Sequence, residues 1–204
     1  VFGDTWDEAH TYASELARRE NAAYIHPFDD PRLWRGHASL VQEVAEAGLK
    51  PGIVVLSVGG GGLMLGVLQG LHSIGWGDVP VLAVETEGTA SFARSIAAGE
   101  LVTLEGITSV ATSLGAKRVA AETLTWARKH TIVPWVVSDR QAVDACLRFA
   151  DDHRILVEPA CGAALAAIYE RAPSLDGRGP VLVIVCGGAG VNRELLAKWD
   201  REVR

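Results

Sequence analysis

The stretch GIVVLSVGGGGLMLGVLQGLH, Gly52 to His72, decides how the rest of the chain is read. Its β-branched apolar run, Ile53 to Leu56, predicts a buried strand. Ser57 and Val58 lead from that strand into four successive glycines, Gly59 to Gly62, and Leu63, Leu65, Val67, Leu68 and Leu71 then follow in a helical pattern. A strand that passes through bare glycines into a helix presents unobstructed backbone N–H groups at the positive end of the helix dipole, where a phosphate binds. The bland alternative is a flexible turn, but four glycines between two strongly apolar elements are an entropically costly way to make one.

The kind of phosphate follows from what the stretch lacks. A Walker loop needs Lys after its last glycine, and Leu63 stands there instead. A dinucleotide fingerprint needs G-x-G-x-x-G, which would require glycine at Met64 or Leu65. Glu85, closing the apolar run Val81 to Val84, stands about where a ribose-binding acid would, which keeps a dinucleotide open. A single cofactor phosphate fits the loop better.

Outward from this unit, the 204 residues are 49% hydrophobic with a net charge of −6, enough for one sizeable core. The acidic balance and the lack of a basic stripe argue against a nucleic-acid partner. No signal peptide and no apolar run of spanning length stand out, so no membrane association is expected. Three cysteines, Cys146, Cys161 and Cys186, lack paired spacing and read as reduced thiols in a cytoplasmic protein.

On the N-terminal side, Asp4 or Thr5 can cap a helix running through Ala9, Tyr12 and Leu16 to Arg19, and Asn21 to His26 reads as a short strand stopped by Pro27. Asp29, Asp30 and Pro31 start a second helix that ends at Gly48. On the C-terminal side come a strand Val79 to Val84, a helix around Ser91 to Ala98, and a long connection over residues 100 to 116. A helix from Lys117 to Lys129 follows, then a strand Val133 to Val137 and a helix capped by Ser138 or Asp139. An alanine-rich helix, Glu158 to Ala172, is expected to pack close to a neighbour. A strand Val181 to Val185 breaks at Cys186-Gly187-Gly188, and a last helix spans Asn192 to Trp199. Strands apolar on both faces, alternating with helices, make this an α/β protein with a parallel sheet covered by helices on both faces. Ligands of such sheets bind beyond the strands' carboxyl ends, where Gly59 to Gly62, Glu85 and Cys186 to Gly188 all fall.

Four strings then carry a family resemblance: HPFDDPRLWRGHAS (His26 to Ser39), SVGGGGL (Ser57 to Leu63), VEPACGAALAA (Val157 to Ala167) and VIVCGG (Val183 to Gly188). With them the chain resembles the L-serine dehydratase/L-threonine deaminase family, fold-type II enzymes that use pyridoxal 5′-phosphate. The resemblance implies that Gly59, Gly60, Gly61, Gly62 and Leu63 hold the cofactor phosphate. It also implies that Cys186, with Gly187 behind it, stands beside the pyridine nitrogen. A neutral thiol there does not force the ring to be protonated, which weakens the electron sink and favours expulsion of a β-substituent over transamination. On the residues alone, Cys186 reads as a small buried residue at a strand end. The resemblance further implies a monovalent cation, typically potassium, held by the Glu85 carboxylate and the carbonyls of Gly59, Thr89, Leu114 and Ala116. Some members carry alanine at the positions of Thr89 and Ser113. Glu158 and Cys161 read as a helix start and core, and His26 and His37 as structural.

The family also implies a Schiff-base lysine, in an upstream Ser-Phe-Lys type segment, that forms the covalent link and moves the α-proton. Lys50, Lys117, Lys129 and Lys198 stand in no such motif, so no catalytic residue is expected within this chain. By position, residues 1–28 correspond to the end of a small domain and residues 29–204 to most of the large, cofactor-binding domain; the N-terminal third of a typical member is absent. The implied reaction is elimination of water from L-serine, and L-threonine, giving pyruvate or 2-oxobutanoate plus ammonia, by a homodimer when full length. The chain alone is expected to be inactive. Two other readings compete: a fold-type II synthase of the cysteine or cystathionine synthase kind, and a non-catalytic truncated paralogue. A serine is common at the Cys186 position in the synthases, so VIVCGG counts against the first of these.

Overall fold

A computed structural model describes residues 2–3 and 6–204. In chain order the elements are α1 (Trp6–Arg19), α2 (Pro31–Glu46), β1 (Ile53–Ser57), α3 (Gly62–Ser73), β2 (Val81–Thr86), α4 (Ser91–Ala98), α5 (Glu122–Ala127), β3 (Ile132–Val137), α6 (Asp139–His153), α7 (Pro159–Tyr169), β4 (Val181–Val183) and α8 (Arg193–Glu202). Single 3₁₀ turns lie at Glu87–Thr89, Thr112–Leu114 and Pro173–Leu175. The four strands form one sheet in the order β3-β2-β1-β4, every pair parallel.

The two faces of the sheet divide the core by the two-residue period of the strand. Ile53 and Val55 of β1, with Leu82 and Val84 of β2, pack against α6 and α7. Val54 and Leu56, with Val81 and Ala83, face α3 and Phe92 of α4 on the other side. All residues of β1 and β2 are therefore buried, which explains their unbroken apolar runs. The expected parallel α/β sheet covered on both faces is what the chain forms. Pro134, which cannot donate to a ladder, lies on the edge strand β3.

Helix starts follow local chemistry. Asp30 caps α2 through a bond accepted from Arg32 N–H, with Pro31 at the first helical position. Ser138 and Gln141 form a reciprocal capping box at α6. The alanine-rich α7 packs closely on α6: a Cβ at Gly162 would lie 2.2 Å from the Ala142 carbonyl oxygen and 2.5 Å from Cys146 Sγ. The proposed cap of α1 by Asp4 or Thr5 falls outside the described residues.

Three expectations are corrected. Asn21 to His26 form no strand; Tyr24 and His26 turn onto α1, with His10 Nδ1 2.8 Å from Tyr24 Oη and the His10 and His26 rings 5.0 Å apart. The helix expected from Lys117 shortens to α5, because the Lys117 carbonyl accepts from Leu104 N–H and Ala120 N–H donates to the Gly60 carbonyl. The strand expected to reach Val185 keeps its ladder only to Val183.

Candidate functional site

The carboxyl ends of β1 and β4 open into a cavity of about 660 Å³ lined by Phe28, Ser57, Gly59 to Gly62, Leu63, Ser113, Leu114, Glu158 and Cys186, among others. Its floor is the start of α3. Gly61 is the residue before that helix and has φ +93, a left-handed conformation that glycine adopts without strain. No side chain caps α3. Among the described residues, nothing accepts a hydrogen bond from the N–H groups of Gly59 through Met64. Amides without a protein acceptor at a helix N-terminus, opening into a cavity, are suited to bind an anion. The donor set fits a phosphate monoester.

Cys186 lies on the opposite wall, at the end of the β4 segment. Cys186 is exposed rather than the buried strand-end residue its position suggests, and its thiol meets the buried Cys161 at the start of α7; that contact first, then partial desolvation, pushes the Cys186 thiol up. The same contact, together with backbone N–H groups of Gly187 and Cys186, draws the Cys161 thiol down. Gly187 does not line the cavity; its carbonyl accepts from Glu158 N–H at 3.3 Å. Glu158 precedes α7 without capping it by its side chain, and its carboxylate faces this loop, 3.8 Å from a Cβ built on Gly187.

Glu85, next to last in β2, has no exposed surface. Its two carboxylate oxygens accept from Phe92 N–H at 2.8 Å and Ala93 N–H at 2.7 Å, at the start of α4. Burial still outweighs those bonds and pushes the carboxyl up to about 7. Arg94 also favours the ionised form of Glu85, but by less than burial opposes it. Thr89 lies fully buried on the turn that follows. Gly59 and Leu114 are neighbours, a Cβ on Gly59 falling 3.4 Å from the Leu114 carbonyl oxygen. That oxygen also accepts from Ala116 N–H at 2.8 Å.

Sequence reasoning passed over one residue here. Ser91, fully buried, has a hydroxyl oxygen with no partner, one position before the amides that Glu85 holds. A serine at a helix start reads as an ordinary cap, so only its burial exposes the orphan. Among the described residues, no group of three or more His, Cys, Asp or Glu side chains could hold a metal ion. One carboxylate, a hydroxyl and main-chain carbonyls suit a hard cation rather than a transition metal.

None of the four lysines lines the cavity. Lys50 pairs with Asp78 at 3.0 Å, Lys129 lies 6.0 Å from the centre of the Trp126 ring, and Lys198 pairs with Glu202 at 3.5 Å. Lys117 sits beside a separate cleft with Thr112 and Gly115.

Comparison with known proteins identifies the family. The chain is 52% identical over 203 residues to the serine dehydratase-like protein of Mus musculus, covering 95% of this chain and 62% of that protein. It is 50% identical over 213 residues to the L-serine dehydratase/L-threonine deaminase of Bos taurus, covering 100% and 65%. The chain thus spans somewhat less than two thirds of these relatives. Among solved structures, a fungal L-serine ammonia-lyase from Rhizomucor miehei superposes with a TM-score of 0.92 at 38% identity, covering all of this chain and 66% of the other. Threonine deaminase isoform 2 from Solanum lycopersicum superposes with a TM-score of 0.87 at 27% identity, covering 98% and 55%. With residues 1–187 also matching the family model described as pyridoxal-phosphate dependent enzyme, the chain belongs to that family.

Proposed function

We propose that this chain carries most of the cofactor-binding domain of a pyridoxal-phosphate lyase that eliminates water from L-serine, and from L-threonine, to give pyruvate or 2-oxobutanoate and ammonia. The observation that carries the reading is the row of unbonded amides from Gly59 to Met64, opening into the cavity that Cys186 also lines. The amides of Gly59 to Gly62 and Leu63 take the cofactor phosphate. Cys186, backed by Gly187, meets the ring nitrogen as a neutral thiol, so it offers a hydrogen bond without a charge. When bound, the cofactor supplies the electron sink for a carbanion at the substrate's α-carbon. The residues of this chain orient that group; none of its four lysines lines the cavity to move the proton at the α-carbon.

A potassium ion belongs beside Glu85, with the carbonyls of Gly59, Thr89, Leu114 and Ala116 and the orphaned Ser91 hydroxyl as further donors. The ion holds Glu85 ionised and fixes the loops around the glycine turn. Residues 1–28 are the end of a smaller domain and residues 29–204 the large one, in a cytoplasmic homodimer when the protein is full length. The substrate is a small amino acid, with neither nucleic acid nor membrane as partner. No helix is long and apolar enough to cross a membrane among the described residues. A synthase of the cysteine or cystathionine kind is disfavoured by the thiol at Cys186, and a non-catalytic truncated paralogue is separated from the lyase reading by whether the upstream reading frame encodes a Ser-x-Lys segment.

Titration of the chain with pyridoxal 5′-phosphate, followed by tryptophan fluorescence, tests the reading. Trp34 reports, since its Nε1–H donates to the Phe28 carbonyl at 2.7 Å and Phe28 lines the cavity. The expected result is saturable quenching that inorganic phosphate competes away, with no pyruvate released from L-serine by the chain alone. Absence of saturable binding overturns the phosphate site; pyruvate from the chain alone overturns the assignment of the proton-moving lysine to a segment outside it.

A further inference from the structure

We infer that a buried hydroxyl relay, Thr89 to Thr86 to Ser109, ending on the Asp139 carboxylate, positions the Thr89 turn of the cation site. The inference rests on the cation reading given above. Its basis is that the carboxylate at one end fixes the direction of the hydroxyl protons behind it. A carboxylate accepts only, and Asp139 takes the Ser109 hydroxyl on Oδ1 and Val110 N–H on Oδ2 at 3.0 Å. With its proton committed, Ser109 Oγ accepts, from the Thr86 hydroxyl at 2.8 Å and from Ala111 N–H at 3.0 Å. Thr86 Oγ1 then accepts from the Thr89 hydroxyl at 2.8 Å, while Thr89 Oγ1 accepts from Thr86 N–H at 3.2 Å. A longer alternative acceptor for Thr89, the Thr86 carbonyl at 3.3 Å, lies within the same turn.

The relay joins three segments that are far apart in sequence: the end of β2, the long connection before Leu114, and the first residue of α6. Thr86 and Thr89 are fully buried and Ser109 nearly so, so water does not compete. The connection also nests against the turn, leaving a Cβ at Gly88 only 2.7 Å from Ser109 N. From the other side, Glu85 holds the amides of Phe92 and Ala93. The Thr89 carbonyl therefore sits on a turn fixed at both ends, and the relay's second segment runs on into Leu114 and Ala116. The Asp139 carboxylate, outside the cavity, thus fixes through the relay the turn that carries the Thr89 carbonyl.

The test is thermal melting of the full 204-residue chain in potassium chloride against equal tetramethylammonium chloride, with the potassium concentration for half the rise as readout. A saturable rise in the wild type supports the cation reading, and no rise overturns that reading whatever the relay does. Thr89→Val removes the hydroxyl at nearly constant shape, and Ser109→Ala interrupts the relay at its centre should the first variant fold poorly. The expected result in either is half-saturation at about tenfold more potassium, the scale of one lost hydrogen bond, with Thr89→Ser restoring the wild-type value. If both variants melt lower in both salts by the same amount and keep the wild-type half-saturation, the relay only supports the fold and the inference is overturned.

Discussion

At position 60 the glycine loop answers to packing as well as to phosphate. A Cβ there would lie 2.1 Å from Phe28 Cγ, and the Gly60 carbonyl accepts from Ala120 N–H at 3.0 Å. The bare backbone therefore lets Phe28 lie against the loop and tie α2 to it, while the N–H side stays open to the cavity. Gly60→Ala must displace an aromatic ring rather than the tip of a flexible chain. Such overpacking is expected to cost about 1–3 kcal/mol, read as a lower urea midpoint. It is also expected to weaken quenching by pyridoxal 5′-phosphate, because the amides shift with the loop. Unchanged stability and unchanged cofactor affinity together would show that Phe28 yields freely and that the contact is incidental.

Among the elements, α3 connects the site to a histidine pair at its far end. His72, in the last turn of α3, has Nε2 3.1 Å from Nδ1 of His130, and the His72 ring meets Trp126 edge-on. One ring donates and the other accepts, so the pair holds a single shared proton. His130 is buried, and burial first, then the neighbouring His72, lowers its pKa against a backbone hydrogen bond at Val79 that raises it. The unfolded chain then binds a proton at His130 that the folded chain refuses. This contribution to stability is present above about pH 6.5 and is lost as pH falls below it. Glu85, raised to about 7, pulls the other way, its contribution being present at low pH and lost as pH rises. The two are separated by a difference measurement. Subtracting the melting profile of His130→Gln from that of the wild type is expected to leave a curve that drops between about pH 7 and 5. A flat difference would mean that the imidazole pair is not coupled to folding.

Over the whole molecule, legibility in the sequence depended on where the determining contacts lie. The β1–glycine–α3 unit was readable because its strand is buried on both faces and its chemistry belongs to the main chain, so composition alone encodes it. Asn21 to His26 and Lys117 to Ala121 were misread because partners distant in sequence, His10 in one case and Gly60 and Leu104 in the other, take the groups a local pattern would assign. The Ser109 relay was invisible for the same reason: its links span 23 and 30 residues. These contrasts rank the parts by stability. No side chain of α1 is buried, and α8 buries only Leu196, whereas every residue of β1 and β2 is buried. What holds α1 is a set of rings, Trp6 lying 5.0 Å from both His26 and Phe28. Local opening free energy follows buried apolar contact, so hydrogen exchange is expected to release the amides of α1 well before those of β1 and β2, in a separate step. Residues 20–28 are expected to follow α1, and the amides of α2 from Leu33 onward to stay with the sheet, which would place the domain boundary near residue 28. Exchange of α1 together with β1, in one cooperative unit, would instead make the N-terminal helix part of the same domain as the glycine loop, and the ring contacts at Phe28 would then be a fixed wall of the cavity.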